Sequence, residues 1–255
     1  MRKVHIGLLI SAGLLAGVSQ ASPLWTYTYD ADRLPDASGS IKDATLTPYS
    51  AFLRTGSVTS EGIAGDIYSG STINSNGGCW FHRTTAPDAL ASLNSDTGYT
   101  MEARIKIDAI DEDLTNAGIG AVAIQCDEGR AGIDRFWQLG FDVSGGQYQV
   151  ALKGGGGPEY VNIDNTAFHT YRVTVLGNTA TLYIDGNPTP AASVPNLRNL
   201  ATNEIEFGDF TGVGDGAYQM DYLSVYDGGA VAVPEPASCA ALSLGGLAMM
   251  WRRRR

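Results

Sequence analysis

Cysteine and histidine are scarce in this 255-residue chain, with three of each. There is no Cys-x-x-Cys pair and no His/Cys cluster, so a structural zinc site is not expected. Gly-x-Ser-x-Gly is missing, and His5 sits in an apolar N-terminal stretch. That leaves His82 and His169, each read as an ordinary strand or turn residue, and it removes the usual serine-nucleophile triad. Gly118-Ile-Gly-Ala-Val-Ala123 imitates a dinucleotide fingerprint but runs into a strand pattern. Gly154 to Gly157 lacks the Lys-Ser or Lys-Thr of a phosphate loop and reads as a flexible loop. No fixed-period repeat is present, which disfavours a solenoid or propeller.

What is present begins at the two ends. Arg2 and Lys3 precede thirteen apolar residues, Ile6 to Val18, and then Ser19-Gln20-Ala21. That is the layout of a secretory signal peptide over residues 1–21, cut by signal peptidase after Ala21. At the other end Val233-Pro234-Glu235-Pro236 is followed by fifteen mostly apolar residues, Ala237 to Trp251, and by Arg252, Arg253, Arg254 and Arg255. The prolines keep the first segment extended and accessible. As a helix the apolar run would be about 22 Å long against roughly 30 Å of bilayer hydrocarbon, short for a permanent transmembrane helix. The arginines favour a cytoplasmic C-terminus.

Residues 233–255 resemble the bacterial PEP-CTERM sorting signal, with its proline–glutamate motif, hydrophobic helix and basic stop in that order. The resemblance implies recognition by an exosortase-type membrane transpeptidase and places the intervening body, 22–232, outside the cytoplasm. That body is therefore expected at the cell envelope, at the cell surface or released, and held to the membrane by the C-terminal segment at least transiently.

The body carries eleven basic and twenty-six acidic residues, a net charge of −15. Such a surface argues against nucleic acid or anionic membrane as partners. An oxidising destination permits a disulfide between Cys79 and Cys126, provided that the fold brings them together.

From Trp25 onward the apolar period is two. Tyr99, Met101, Ala103, Ile105 and Ile107 alternate with Thr100, Glu102, Arg104 and Lys106, the pattern of a half-buried strand. Phe136 to Val143 and Gln147 to Lys153 are joined through Ser144-Gly145-Gly146, and Thr170 to Val175 and Ala180 to Ile184 through Gly177-Asn178, each pair forming a hairpin. Ser57 to Ser69 supplies a strand, Asp30 to Thr47 reads as loop, and Pro87 to Leu93 could form one helical turn. Ten to twelve short strands with Gly-rich turns predict an all-β antiparallel sandwich.

Tyr171-Arg-Val-Thr-Val-Leu-Gly-Asn-Thr-Ala-Thr-Leu-Tyr-Ile-Asp-Gly186 resembles a strand pair of laminin-G-like and concanavalin A-like domains. Glu204-Ile-Glu-Phe-Gly-Asp209 and Met220-Asp-Tyr-Leu-Ser-Val-Tyr226 resemble the closing strands. The resemblance implies a two-sheet jelly roll, a fold shared by lectins, carbohydrate-binding modules, adhesion domains and some glycosidases, so it does not choose a function.

Glu204, Glu206 and Asp209 superficially copy the alternating acids of the glycosidases in this superfamily, but Gly208-Asp209 stands where an acid/base glutamate is expected. An exposed acidic strand face is the simpler reading, and no catalytic residue is assigned. Calcium is a candidate ligand rather than a required cofactor. Asp127, Glu128 and Asp134 crowd one loop, and Asp108, Asp111, Glu112 and Asp113 another, without an ordered calcium-loop signature. The expectation is a non-enzymatic exported protein with extracellular polysaccharide as its partner, or with a matrix role. A glycoside hydrolase or a purely structural adhesion module are the alternatives.

Overall fold

In a strand, successive side chains leave opposite faces, so each stretch that alternates apolar and polar must find a second sheet to cover its apolar side. The computed structural model describes residues 25–43, 48–75, 77–84, 93–111, 121–130, 133–196, 204–211 and 214–231. Residues 1–21, read above as a signal peptide, residues 233–255, read as a sorting segment, and the helical turn expected at Pro87 lie outside them. Among the described residues no helix is long and apolar enough to cross a membrane.

The described residues form seventeen strands. They are β1 (Tyr27–Tyr29), β2 (Ile41–Asp43), β3 (Pro48–Ser50), β4 (Leu53–Gly56), β5 (Ser60–Ile63), β6 (Tyr68–Ser71), β7 (Cys79–Thr84), β8 (Tyr99–Ile110) and β9 (Val122–Arg130). There follow β10 (Ile133–Ser144), β11 (Gln147–Gly154), β12 (Gly157–Asn162), β13 (His169–Leu176), β14 (Thr179–Ile184), β15 (Ala192–Pro195), β16 (Glu204–Gly208) and β17 (Gly216–Tyr226). One ten-stranded sheet runs β15-β14-β13-β8-β17-β1-β2-β3, with β6 and β5 attached to the first half of β17. A seven-stranded sheet runs β12-β11-β10-β9-β16-β7-β4. All pairings are antiparallel, as a sandwich of this type requires.

The core lies between the sheets. Tyr99, Met101, Ala103, Ile105 and Ile107 of β8 enter it from one side; Trp137, Leu139 and Phe141 of β10, with Ile205 and Phe207 of β16, enter from the other. Both expected hairpins form, with Ser144 opposite Gln147, so that Ser144 belongs to the strand and not the turn, and Leu176 opposite Thr179. Gly145 and Gly146 both take positive φ, which the tight turn demands.

Three segments depart from the sequence reading. The span 30–47 contains β2, because Ile41 packs into the core although its neighbours are polar. The single strand expected between Ser57 and Ser69 is two, β5 and β6, paired from Ser60–Ser71 to Ile63–Tyr68. The glycine run 154–157 is a tight turn, not a flexible loop: Gly154 pairs with Gly157, and a Cβ on Gly154 would sit 2.0 Å from the Pro195 carbonyl oxygen.

Candidate functional site on the seven-stranded sheet

Ile205 and Phe207 point into the core, so Glu204, Glu206 and Gly208 leave β16 on the outer face. The neighbours in register on that face are His82 beside Glu206 on β7 and Gln125 beside Glu206 on β9. Extending the register outward gives a polar row across the sheet, His82, Glu206, Gln125, Gln138 and Lys153, with the exposed Leu53 at its β4 end. The next row is different in kind. It runs Trp80, Gly208, Ala123, Gly140, Ala151 and Tyr160, four small residues between two aromatic ones. At the usual strand spacing Trp80 and Tyr160 stand about 24 Å apart. A third row, Asp142, Gln149 and Asn162, borders the small residues on their far side. The outer face therefore carries a row of glycine and alanine between polar side chains, with an aromatic residue at each end; Ala123 and Ala151 in that row are buried, 0 % and 4 % exposed.

The polar row is internally bonded. Gln125 Nε2 donates to Glu206 Oε2, and Gln138 Nε2 donates to Gln125 Oε1 at 3.3 Å. His82 Nε2 is 3.1 Å from Thr55 Oγ1, while its Nδ1 is buried without a hydrogen-bond partner, 3.9 Å from Glu204 Oε1. Glu206 is only 9 % exposed. Burial pushes its carboxyl up to about 7, the charge of Glu204 and a hydrogen bond with it add to the rise, and the Gln125 amide opposes it. Glu206 is thus not part of a solvated acidic face. Among the described residues, His82, Glu204 and Glu206 also form a group whose donor atoms all lie within 4.8 Å of one another, a spacing compatible with a shared ion.

Other acids named from the sequence go elsewhere. Asp209 lies just past the end of β16, after Gly208, whose positive φ breaks the strand alternation. It is fully buried, accepting from Thr72 Oγ1 at 2.5 Å and from Thr211 N and Oγ1 at 2.8 and 2.9 Å, and it pins a loop rather than joining the glutamates. Asp127 and Glu128 are consecutive in a strand, not in a loop, and face opposite ways. Asp127 falls on the outer face beside Glu204. Glu128 is buried at the end of the core, where both carboxylate oxygens receive the Ser95 N–H at 3.1 Å. These two acids cannot ligate one calcium ion. Asp134 pairs by backbone with Gly129, and its side chain lies outside the described residues. Asp108 is taken up by Lys106 and Gln219, and Asp111 by the Asp215 N–H.

Cys79 and Cys126 are both free and buried. They stand on β7 and β9 with β16 between them and are offset four residues along the strands, about 16 Å in all, far beyond disulfide reach. Burial pushes the Cys79 thiol up to about 11 and that of Cys126 higher still, so neither is a thiolate at neutral pH.

Residues 77–227 match the concanavalin A-like lectin/glucanases superfamily, well over half of the chain. The chain belongs to that superfamily. No curated protein matches it. Among solved structures the concanavalin A-like fold is shared with a carbohydrate esterase of the Shiga toxin-encoding bacteriophage phi24B. The two are 12 % identical with a TM-score of 0.54, over 79 % of this chain and 97 % of that one. A mutant Trypanosoma rangeli sialidase with trans-sialidase activity gives a TM-score of 0.56 at 12 % identity, over 82 % of this chain and 31 % of the sialidase. At such identities the likeness shows the fold. For this concanavalin A-like protein, the residues of interest come from its own outer face. His82 and Gln125 were not legible as site residues, because neither is near Glu206 in sequence; only the strand register joins them.

The elevated Glu206 carboxyl has a stability consequence. Between about pH 4.5 and pH 7 the folded protein holds a proton that the unfolded chain has released, so the group favours the fold on the acid side. That contribution is lost as pH rises through about 7. Thermal melts in chelator-treated buffer are expected to show the melting temperature falling by a few degrees from pH 5 to pH 8, and Glu206→Gln should flatten that slope. An unchanged slope in the variant would contradict the assignment.

Proposed function

We propose that this is an exported, non-enzymatic glycan-binding protein whose ligand lies along the outer face of the seven-stranded sheet. The observation that supports this most is the Gly208–Ala123–Gly140–Ala151 row ending in Trp80 and Tyr160. Small residues along that row keep the space over the backbone free of their own side chains. Aromatic residues at the ends supply apolar faces for sugar rings, and the flanking glutamine, aspartate and asparagine side chains match sugar hydroxyls as donors and acceptors. Trp80 is half-buried and lies 6.1 Å from Phe210, while Tyr160 is exposed. The net acidic body fits a neutral glycan better than a polyanionic one.

Hydrolysis by Glu204 and Glu206 is the competing reading, and the near-neutral Glu206 carboxyl favours it. Against it, the Glu206 carboxyl is tied to the Gln125 amide, and Asp209 is locked in its loop. Retaining glycosidases hold their carboxyls about 5–5.5 Å apart with substrate between them.

A polysaccharide-binding screen of the protein should find at least one ligand, with Trp80→Ala and Tyr160→Ala each weakening it by roughly 3- to 10-fold, about 1 kcal/mol. Binding indifferent to both changes, or absent for every glycan, would point to a structural or adhesion module. The same screen read for new reducing ends should stay blank; ends that form with the native protein and vanish with Glu206→Gln would make it a hydrolase.

The sorting reading of Val233 to Arg255 is part of the same proposal. An exosortase-type transpeptidase acts on the Val233–Pro236 segment after signal peptidase has removed 1–21, so that the body ends at the cell surface or in the medium. Replacing Pro234 and Pro236 together by alanine should leave the protein unprocessed in the membrane fraction. Normal processing of that variant would reduce the tail to an anchor.

A further inference from the structure

We propose that His82, Glu204 and Glu206 bind one divalent transition-metal ion of the zinc class. No such site was expected from a chain without paired cysteines, and the case for it is made by the strand register. Glu204 and Glu206 project from one strand on the same face, and His82 stands directly beside Glu206 on the next. Their donor atoms converge within 4.8 Å.

Three features separate this group from an ordinary acidic patch. The first is the His82 imidazole. Its Nε2 is 3.1 Å from Thr55 Oγ1, and in the tautomer that donates from Nε2 the lone pair is on Nδ1; that nitrogen is buried, has no hydrogen-bond partner, and faces Glu204 from 3.9 Å. This distance is too long for a hydrogen bond but suits two ligands of one ion. Donors each about 2.1 Å from zinc lie about 3.4 Å apart in a tetrahedron and at most about 4.2 Å. For a tetrahedral ion a gap as wide as 4.8 Å would have to close by about 1.4 Å, and Glu204, with 23 % of its side chain exposed, has room to move.

The second feature is support from behind. Glu206 is held by Gln125, which Gln138 holds in turn, and His82 is held by Thr55 of β4. Ligands oriented from both flanks by groups that do not touch the ion are the normal outer shell of a metal centre. The third is the pairing of two carboxyls in a largely buried setting. Such a pair must share a proton or a cation, and a divalent ion removes the repulsion more completely.

One imidazole and two carboxylates form a mixed nitrogen and oxygen set, which suits zinc and its neighbours. Calcium takes six to eight hard oxygens and finds too few here. Three protein ligands leave a tetrahedral ion one position for water or for a hydroxyl of a ligand on the adjoining row. That last use rests on the glycan reading; the ion site does not.

The test is a titration of the full chain with zinc alone, no glycan present, followed by competition with a chromophoric chelator. One ion per chain is expected. His82→Gln and Glu204→Gln should each cost at least about 100-fold in affinity, and Thr55→Val, which leaves all three ligands in place, about 10-fold. His169→Gln, at a histidine already engaged by Asp185 and the Asp164 carbonyl, should change nothing. Independently of any variant, zinc should move the His82 Nδ1 nitrogen resonance and leave those of His169 in place. The proposal is overturned if no saturable binding occurs, if binding survives His82→Gln or is lost in His169→Gln, or if calcium displaces zinc at comparable concentration. Because glycan is absent, a failure here leaves the glycan reading standing, and the reverse also holds.

Discussion

Phe207 fixes the position of everything on the outer face. Its ring packs edge-on against Phe52 at 5.0 Å and stacks on Phe81 at 5.2 Å and Tyr29 at 6.0 Å, so it joins the two sheets at one point. Tyr68 extends the same cluster from Phe81 to Tyr218. A strand held this firmly on one face has no freedom of register on the other, because a slip of one residue would bury Glu204 and Glu206 and expose Ile205 and Phe207. The meeting of His82, Glu206 and Gln125 is a consequence of aromatic packing on the opposite side of β16.

Buried polar groups show where the chain uses acids for structure and where it does not. Glu128 and Asp209 are surrounded by donors, Ser95 N–H for one and Thr72 and Thr211 for the other, and both close loops against the ends of the sandwich. The Glu102 carboxyl on the other sheet is likewise satisfied by Arg172 and Tyr222. Glu204 and Glu206 differ: Glu206 has the Gln125 amide as donor but Glu204 and Asp127 as neighbouring charges, and the facing imidazole nitrogen carries no hydrogen bond. An arrangement that leaves repulsion and an unpaired ring nitrogen together inside one row costs stability, and the proposed ion would remove that cost.

The sandwich itself was legible because β8, β10, β11, β13 and β14 alternate cleanly, and because Gly145-Gly146 and Gly177 sit where tight turns need them. Short strands with one apolar residue, such as β2 around Ile41, leave too weak a period to read. The site was half legible. Glu204 and Glu206 show their shared face from spacing alone, whereas Asp209, grouped with them by sequence, is separated by its bonds to Thr72 and Thr211. His82 and Gln125 are brought in by pairing between segments more than forty residues apart, and no local pattern encodes that. Asp127 and Glu128 show the converse: adjacency in sequence looked like a ligand cluster, yet in a strand it guarantees opposite faces. Cys79 and Cys126 fail to pair for a similar reason, with β16 inserted between their strands by a late segment of the chain.

The central claim is that function resides on the outer face of the seven-stranded sheet. Its most direct test is the titration of a panel of oligosaccharides into nitrogen-15-labelled protein, followed residue by residue. The account predicts shifts grouped at the Trp80 indole N–H, the Gln125 and Gln138 amides and the backbone of Gly140 and Tyr160. Shifts grouped instead around Glu102, Arg172 and Tyr222 on the ten-stranded sheet, or no shift with any member of the panel, would contradict it.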